Sequence, residues 1–157
     1  MKINIIAVGK IKEKYLKEAI DEYKKRLSKF CSLNIIEVEE CVAKTENEAS
    51  IKKSIEEEAK NIISKIRNEY VIVLDIDRKE YSTIEISEKM KEIMVSGVSE
   101  ISFIIGGSYG LSEVVKKKAN LRLSFSRLTF PHQLFRVILM EQIYRVFKIG
   151  NNEPYHK

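Results

Sequence analysis

The residues best suited to chemistry gather in the last third of the chain. His132 and Arg136 stand one helical turn apart and face the same way as Leu139 and Ile143. An imidazole can take up a proton near neutral pH, and a guanidinium can stabilise charge that develops on an oxygen. Either group buried unpaired beside an apolar stripe would cost several kcal/mol, so both demand partners. The tail Pro154-Tyr155-His156-Lys157 adds a stacking ring, a second imidazole and a cation, all able to contact a nucleotide. A frayed terminus is the ordinary alternative for such a tail. Glu141 and Arg145, four residues apart with opposite charges, read as a structural ion pair.

Two further segments are unusual. Ile105-Gly106-Gly107-Ser108-Tyr109-Gly110 leaves an apolar run and enters a short polar helix. Adjacent glycines permit a tight bend and bare amides toward a ligand. The loop lacks the Lys-Ser/Thr ending of a phosphate loop, and it follows the fourth strand-like run rather than the first. A ligand loop and a plain turn fit it equally well. Ser124-Phe125-Ser126-Arg127-Leu128-Thr129-Phe130-Pro131 mixes hydroxyls with bulky apolar groups directly before a helix start. A ligand could lie there against free amides, or the hydroxyls could simply cap while the rings pack.

Other chemistries are not supported. Cys31 and Cys41 are ten residues apart, and the chain has only two histidines, so no spacing suits a zinc site. Two thiols in a chain of this size point to the cytoplasm, and no apolar run reaches the length of a membrane span. With 157 residues, 44% hydrophobic and 32% charged, the chain reads as one globular domain. A net charge of +5 favours an anionic partner, but only mildly.

The elements that must position these groups alternate in type. Strand-like runs lie at Ile3–Val8, Leu33–Val38, Tyr70–Asp75, Ile101–Ile105 and near Leu121–Phe125. Helical periodicity spans Ile11–Phe30, about Glu46–Arg67, and Ser82 to about Ser96, where Ser82 and Glu85 form a capping box. A short helix runs to Lys118, and a last one starts at Pro131 and ends before Gly150. This alternation predicts a single α/β domain over residues 1–157, a parallel sheet flanked by helices. The last helix is apolar almost all round, from Leu134 to Phe147, which predicts burial on more than one side and a homodimer.

Taken together, Ala7-Val8-Gly9-Lys10, Val73-Leu74-Asp75, Ile105-Gly106-Gly107 with Gly110-Leu111, Leu123-Ser124-Phe125-Ser126, Thr129-Phe130-Pro131-His132, Arg136 and the ending Tyr155-His156-Lys157 resemble the RlmH-type methyltransferases of the SPOUT class. The resemblance covers essentially the whole chain, and its last third is the specific part. It implies transfer of a methyl group from S-adenosylmethionine to N3 of a pseudouridine in 23S ribosomal RNA. It further implies a deep trefoil knot in the C-terminal part, about residues 101–157, and a homodimer. The cofactor would then sit among three loops, at Leu74, Gly106, and Phe125, Ser126, Arg127, Leu128, Thr129 and Phe130. His132, Arg136, Tyr155 and His156 would be the catalytic candidates, Arg136 stabilising charge and His132 or His156 taking or relaying the proton.

Two other readings stay open. One is a SPOUT methyltransferase with a different RNA target; the other is a ribosome-associated binding protein without catalysis. A modest positive charge and no separate RNA-binding domain favour an assembled ribosome over naked RNA as the substrate.

Overall fold

A computed structural model describes residues 1–154. Its elements run β1 (Lys2–Val8), α1 (Lys14–Leu27), β2 (Ser32–Val38), α2 (Glu48–Ile63), β3 (Tyr70–Leu74), α3 (Thr83–Val95), β4 (Glu100–Ile105), α4 (Glu113–Lys116), β5 (Leu121–Leu123) and α5 (His132–Gly150). The strands form one sheet in the order β2-β1-β4-β3-β5, and every neighbouring pair is parallel. The predicted α/β class is therefore the observed one.

Alternation along the central strands builds two cores. Ile3, Ile5 and Ala7 of β1, with Ile101, Phe103 and Ile105 of β4, face a layer made by α1, α3 and α5. Ile6 and Val8 of β1, with Val71 and Val73 of β3, face α2 and α4. Both sides of these strands are covered, which is why they read as unbroken apolar runs. Asn4 interrupts β1, and its amide donates to Glu100 Oε1 at 2.8 Å and Ser102 Oγ at 3.2 Å. The connections β1–β2 and β3–β4 step one way along the sheet through α1 and α3, while β2–β3 and β4–β5 step the other way through α2 and α4. One crossover hand throughout requires that division of helices between faces.

Helix boundaries follow hydrogen bonding more than periodicity. α1 begins at Lys14 rather than Ile11 because Ile11 N donates to Glu37 Oε1 (2.9 Å) and Lys12 N to Gln133 Oε1 (3.1 Å). Those bonds hold the segment after β1 extended across β2 and α5. α2 begins at Glu48, where Asn47 caps by accepting from Ser50 N, and ends at Ile63 rather than Arg67. The predicted capping box of α3 is present, with Ser82 and Glu85 bonded reciprocally. β5 stops at Leu123 because Ser124 N turns to Lys79 O at 3.0 Å in the loop after β3.

α5 lies between α1 and α3 and buries Leu139, Met140, Ile143, Val146 and Phe147. Each such side chain contributes about 1.5–3 kcal/mol of hydrophobic stabilisation. Glu141 and Arg145 form the anticipated ion pair, at 2.5 Å.

Candidate active site

A cavity of about 750 Å³ opens at the carboxyl ends of β3, β4 and β5. That is the expected place for a ligand in a parallel α/β sheet, and the size suits a nucleoside-sized molecule. Three chain segments enclose it: Leu74–Asp77 after β3, Ile105–Leu111 after β4, and Leu123–His132 between β5 and α5.

Each wall has its own physical basis. The β4 segment turns at once because Gly110 N donates to Gly107 O at 3.1 Å and Gly110 takes φ +82°. Gly106 has no room for a side chain: a Cβ there would lie 2.9 Å from Leu111 Cγ and 3.0 Å from the Gly110 carbonyl. Gly107 is confined differently, its Cβ position lying 3.0 Å from both Val8 Cγ1 and Glu58 Oε2. The segment before α5 is braced internally, with Ser124 Oγ donating to Ser126 O (3.0 Å) and Leu128 N donating to Ser126 Oγ (2.9 Å). Phe125 and Phe130 pack on Phe135, with ring centroids 5.3 and 5.9 Å apart, and so fasten this segment to α5.

The cavity also holds charge that sequence reasoning passed over. Asp75, buried at the end of β3, accepts from Arg122 Nε at 3.1 Å and from Arg122 Nη2, with Lys116 Nζ 3.8 Å away. Burial pushes its carboxyl up, but the Arg122 bonds, the Asp77 amide and the Lys116 and Arg122 charges outweigh it and hold it below the usual range. The only signal in the sequence was Asp75 closing an apolar strand. Arg78, three residues on, lies 3.6 Å away, but the hydrogen-bonding partner Arg122 and the cation Lys116 come from β5 and α4, 47 and 41 positions further along.

Of the residues proposed for a cofactor, Leu74, Gly106, Phe125, Ser126, Leu128, Thr129 and Phe130 all line this one cavity. Arg127 does not: its side chain is 92% exposed and lies 3.7 Å from Glu80. A flexible cation in solvent beside a carboxylate is a surface pair, and this geometry does not bring Arg127 to the cofactor cavity.

The catalytic candidates divide in the same way. His132, the first residue of α5, reaches the cavity edge. Arg136 does not line the cavity. It is fully buried, donating through Nη2 to Val8 O and Gly9 O, both 2.7 Å, and through Nη1 to Glu37 Oε1 at 3.1 Å. Burial pulls its pKa down, and Glu37 and then Glu40 oppose that pull. An arginine occupied by two main-chain carbonyls holds structure, and this geometry does not bring Arg136 to the cavity where a substrate charge would develop. Tyr155 and His156, with Lys157, lie outside the described residues.

The wall composition fits S-adenosylmethionine. Leu74, Ile105, Leu111 and Leu123 form an apolar floor, polar loop backbone surrounds it, and Gly106 is packed so closely that the loop backbone itself must form the wall. Neither thiol belongs to the cavity: Cys31 is buried away from it and pushed up to about 11 by that burial. Among the described residues no cluster of His, Cys, Asp and Glu is arranged to hold a metal.

Known proteins resemble this chain along its full length. Residues 1–156 match the family described as "Predicted SPOUT methyltransferase". The "Ribosomal RNA large subunit methyltransferase H" proteins of Clostridium botulinum (strain Kyoto / Type A2) and Clostridioides difficile (strain 630) are 55% and 53% identical to it, each alignment covering 100% of both chains. Among solved structures, "a probable methylase family protein from Haemophilus influenzae Rd KW20" superposes with a TM-score of 0.54 at 16% identity. It covers 99% of this chain and 70% of that one, a likeness of fold alone. The chain belongs to the SPOUT methyltransferase family, of the RlmH type, whose methyl donor is S-adenosylmethionine.

Proposed function

We propose that this protein methylates large-subunit ribosomal RNA, at N3 of a pseudouridine in 23S rRNA. The observation that carries the reading is the cavity at the ends of β3, β4 and β5, with His132 at its edge. Full-length relatives more than half identical, named as large-subunit ribosomal RNA methyltransferases, supply the class of substrate.

The cofactor, when bound, supplies an activated methyl group on a sulfonium. The protein's own work is positioning and electrostatics. Leu74, Ile105 and Leu123 would hold the apolar part of the cofactor, and Phe125, Ser126, Leu128, Thr129 and Phe130 form the wall nearest α5. A uracil-type N3 carries a proton that must leave, and His132, at the cavity edge, is the acceptor in this reading. Tyr155 and His156 belong to the same reading, as groups that contact the target nucleotide.

The segment after β5 pairs with the loop after β3 through the Glu80–Ser124 bridge, then leads into α5, which packs with α1 and α3. A trefoil knot in the C-terminal part, about residues 101–157, belongs to the same reading, and membership of the SPOUT family supports it. A homodimer is part of the same reading, since α5 still exposes Leu134 beside the half-buried Val137 and Ile138. The substrate is an assembled ribosomal particle in the cytoplasm, whose shape supplies specificity that a net charge of +5 cannot. No helix among the described residues is long and apolar enough to cross a membrane.

The test is nucleoside mass spectrometry of 23S rRNA from strains with and without the protein. Loss of N3-methylpseudouridine on deletion, restored by complementation, is expected. An unchanged nucleoside profile overturns the proposal.

A further inference from the structure

The segment that joins β1 to α1 is held more firmly than a plain connection requires. Gly9 N donates to Val38 O at 2.8 Å, and Arg136 Nη2 donates to Val8 O and Gly9 O, both at 2.7 Å. Ile11 N then donates to Glu37 Oε1 at 2.9 Å, and Lys12 N to Gln133 Oε1 at 3.1 Å. The backbone from Val8 to Lys12 is thus pinned to β2 and α5. Arg136 is fully buried to do this, with its Nε unpaired among the described residues, a costly arrangement for a guanidinium. None of Val8, Gly9, Lys10, Ile11 and Lys12 lines the cofactor cavity. Yet Gln133, which holds Lys12, directly follows His132 at the cavity edge, so the pinned segment runs beside the cavity mouth.

This rigid corner displays positive charge and an aromatic ring. Lys10, Lys12 and Lys14 are exposed, with a single acid, Glu13, among them. Tyr15 follows at once and is 65% exposed. Lys14 makes a loose surface pair with Glu18 at 3.7 Å, whereas Lys10 and Lys12 have no ion pair among the described residues. Carboxylates from neighbouring elements are engaged elsewhere: Glu37 by Arg136 and the Ile11 amide, Glu40 by Ser108 Oγ at 3.2 Å.

These side chains do little for the fold. Cations at the start of a helix oppose its dipole, and α1 has no acidic residue in its first turn to offset them. The basic last turn of the same helix, Lys24, Lys25 and Arg26, is different, because cations there complement the dipole. A chain that buries an arginine to fix a loop, and then sets unpaired ammonium groups and a solvated ring on it, has built a surface for an anionic, ring-bearing partner.

We propose that Lys10, Lys12 and Tyr15 form the surface on which the RNA strand flanking the target nucleotide docks, the ammonium groups meeting backbone phosphates and the ring stacking on an unpaired base. The proposal rests on the reading that the substrate is large-subunit ribosomal RNA. Phosphate contacts set register and orientation rather than sequence, and stacking on a ring accepts any base. Together they hold the strand while the cavity holds the methyl donor. Because β2 and α5 already pin the backbone, binding does not have to order it, and more of the contact energy reaches the complex.

The experiment measures kcat/KM for methylation of ribosomes from a strain lacking the protein, over a series of salt concentrations. It compares wild type with Lys10→Gln, Lys12→Gln, Tyr15→Ala, Tyr15→Phe and Lys29→Gln, and S-adenosylhomocysteine affinity is measured by calorimetry in each. Lys29 is exposed two residues beyond the opposite end of α1, so its variant removes the same charge elsewhere. Loss of Lys10 or Lys12 flattens the slope of log(kcat/KM) against log[salt] by about 0.7–0.9, the counterion release of one phosphate contact. At low salt each loss raises KM about two- to fivefold, the scale of an exposed ion pair. Tyr15→Ala raises KM about fivefold or more with the slope unchanged, and Tyr15→Phe keeps wild-type behaviour. In all variants kcat and S-adenosylhomocysteine affinity stay within about twofold, because only substrate binding is lost. Unmoved slopes in both lysine variants, an equal flattening in Lys29→Gln, or an unchanged KM in Tyr15→Ala overturns the proposal. Wild-type protein that labels no large-subunit RNA overturns the functional reading and this proposal with it; normal labelling by wild type with unmoved slopes in the variants overturns this proposal alone.

Discussion

Gly106→Val tests whether the loop after β4 is the wall of the cofactor site. A Cβ at Gly106 would stand 2.9 Å from Leu111 Cγ and 3.0 Å from the carbonyl carbon and oxygen of Gly110. Leu111 can rotate away, but the Gly110 carbonyl cannot, because the Gly107–Gly110 turn is closed by a 3.1 Å main-chain bond. The backbone must shift, and valine's second branch enlarges the shift. Overpacking of this kind costs about 1–3 kcal/mol. Because the strained loop lines the cavity, much of that cost falls on the binding-competent conformation. It predicts S-adenosylhomocysteine binding weaker by about 5- to 150-fold, at about 1.4 kcal/mol per tenfold. The melting temperature should fall by about 2–4 °C for each kcal/mol of destabilisation. Calorimetric titration and a thermal melt read both quantities. Wild-type affinity in a folded Gly106→Val protein would refute the assignment of this loop to the cofactor.

Three further outcomes follow from the same geometry. Arg136→Met should destabilise the fold by about 3–5 kcal/mol in urea unfolding, because it leaves Val8 O, Gly9 O and Glu37 without their donor; a loss of methylation with unchanged stability would instead return Arg136 to direct chemistry. Asp75 has a carboxyl pKa held below its unfolded value, so its contribution is complete above about pH 4 and is lost as pH falls through the folded value. Asp75→Asn should therefore be less stable than wild type at neutral pH and flatten the acid side of the stability profile, which melts across pH will check. Removing Tyr155, His156 and Lys157 should leave S-adenosylhomocysteine affinity nearly intact while methylation of ribosomes falls at least about a hundredfold; a truncated protein that methylates at the normal rate would take Tyr155 and His156 out of the site.

What could be read from the chain depended on whether the cause was local. The strands were legible because β1, β3 and β4 are covered on both faces, and burial on both faces writes a continuous apolar run. The α3 start was legible because Ser82 and Glu85 satisfy one another within four residues. The start of α1 was not, since Glu37 and Gln133 hold Ile11 and Lys12 from elements far along the chain. Arg136 shows the same divide within the site. Helical spacing placed it beside Leu139 and required a partner, but nothing nearby in sequence pointed to the carbonyls of Val8 and Gly9, 128 and 127 positions away. Arg127 was carried along with a matching motif, while its side chain stands in solvent. Asp75 entered only as part of a matching motif, because nothing in its spacing announced the Arg122 and Lys116 cations that meet it in the fold.

The central claim is methyl transfer to large-subunit rRNA from the cavity at the ends of β3, β4 and β5. Its most direct measurement gives the purified protein labelled S-adenosylmethionine and ribosomes from a strain lacking it, with Gly106→Val alongside. The account predicts label in 23S rRNA, recovered as N3-methylpseudouridine, and a strong loss of label with the variant. Label in small-subunit RNA, or no label in any RNA from wild-type protein that binds the cofactor, would contradict it.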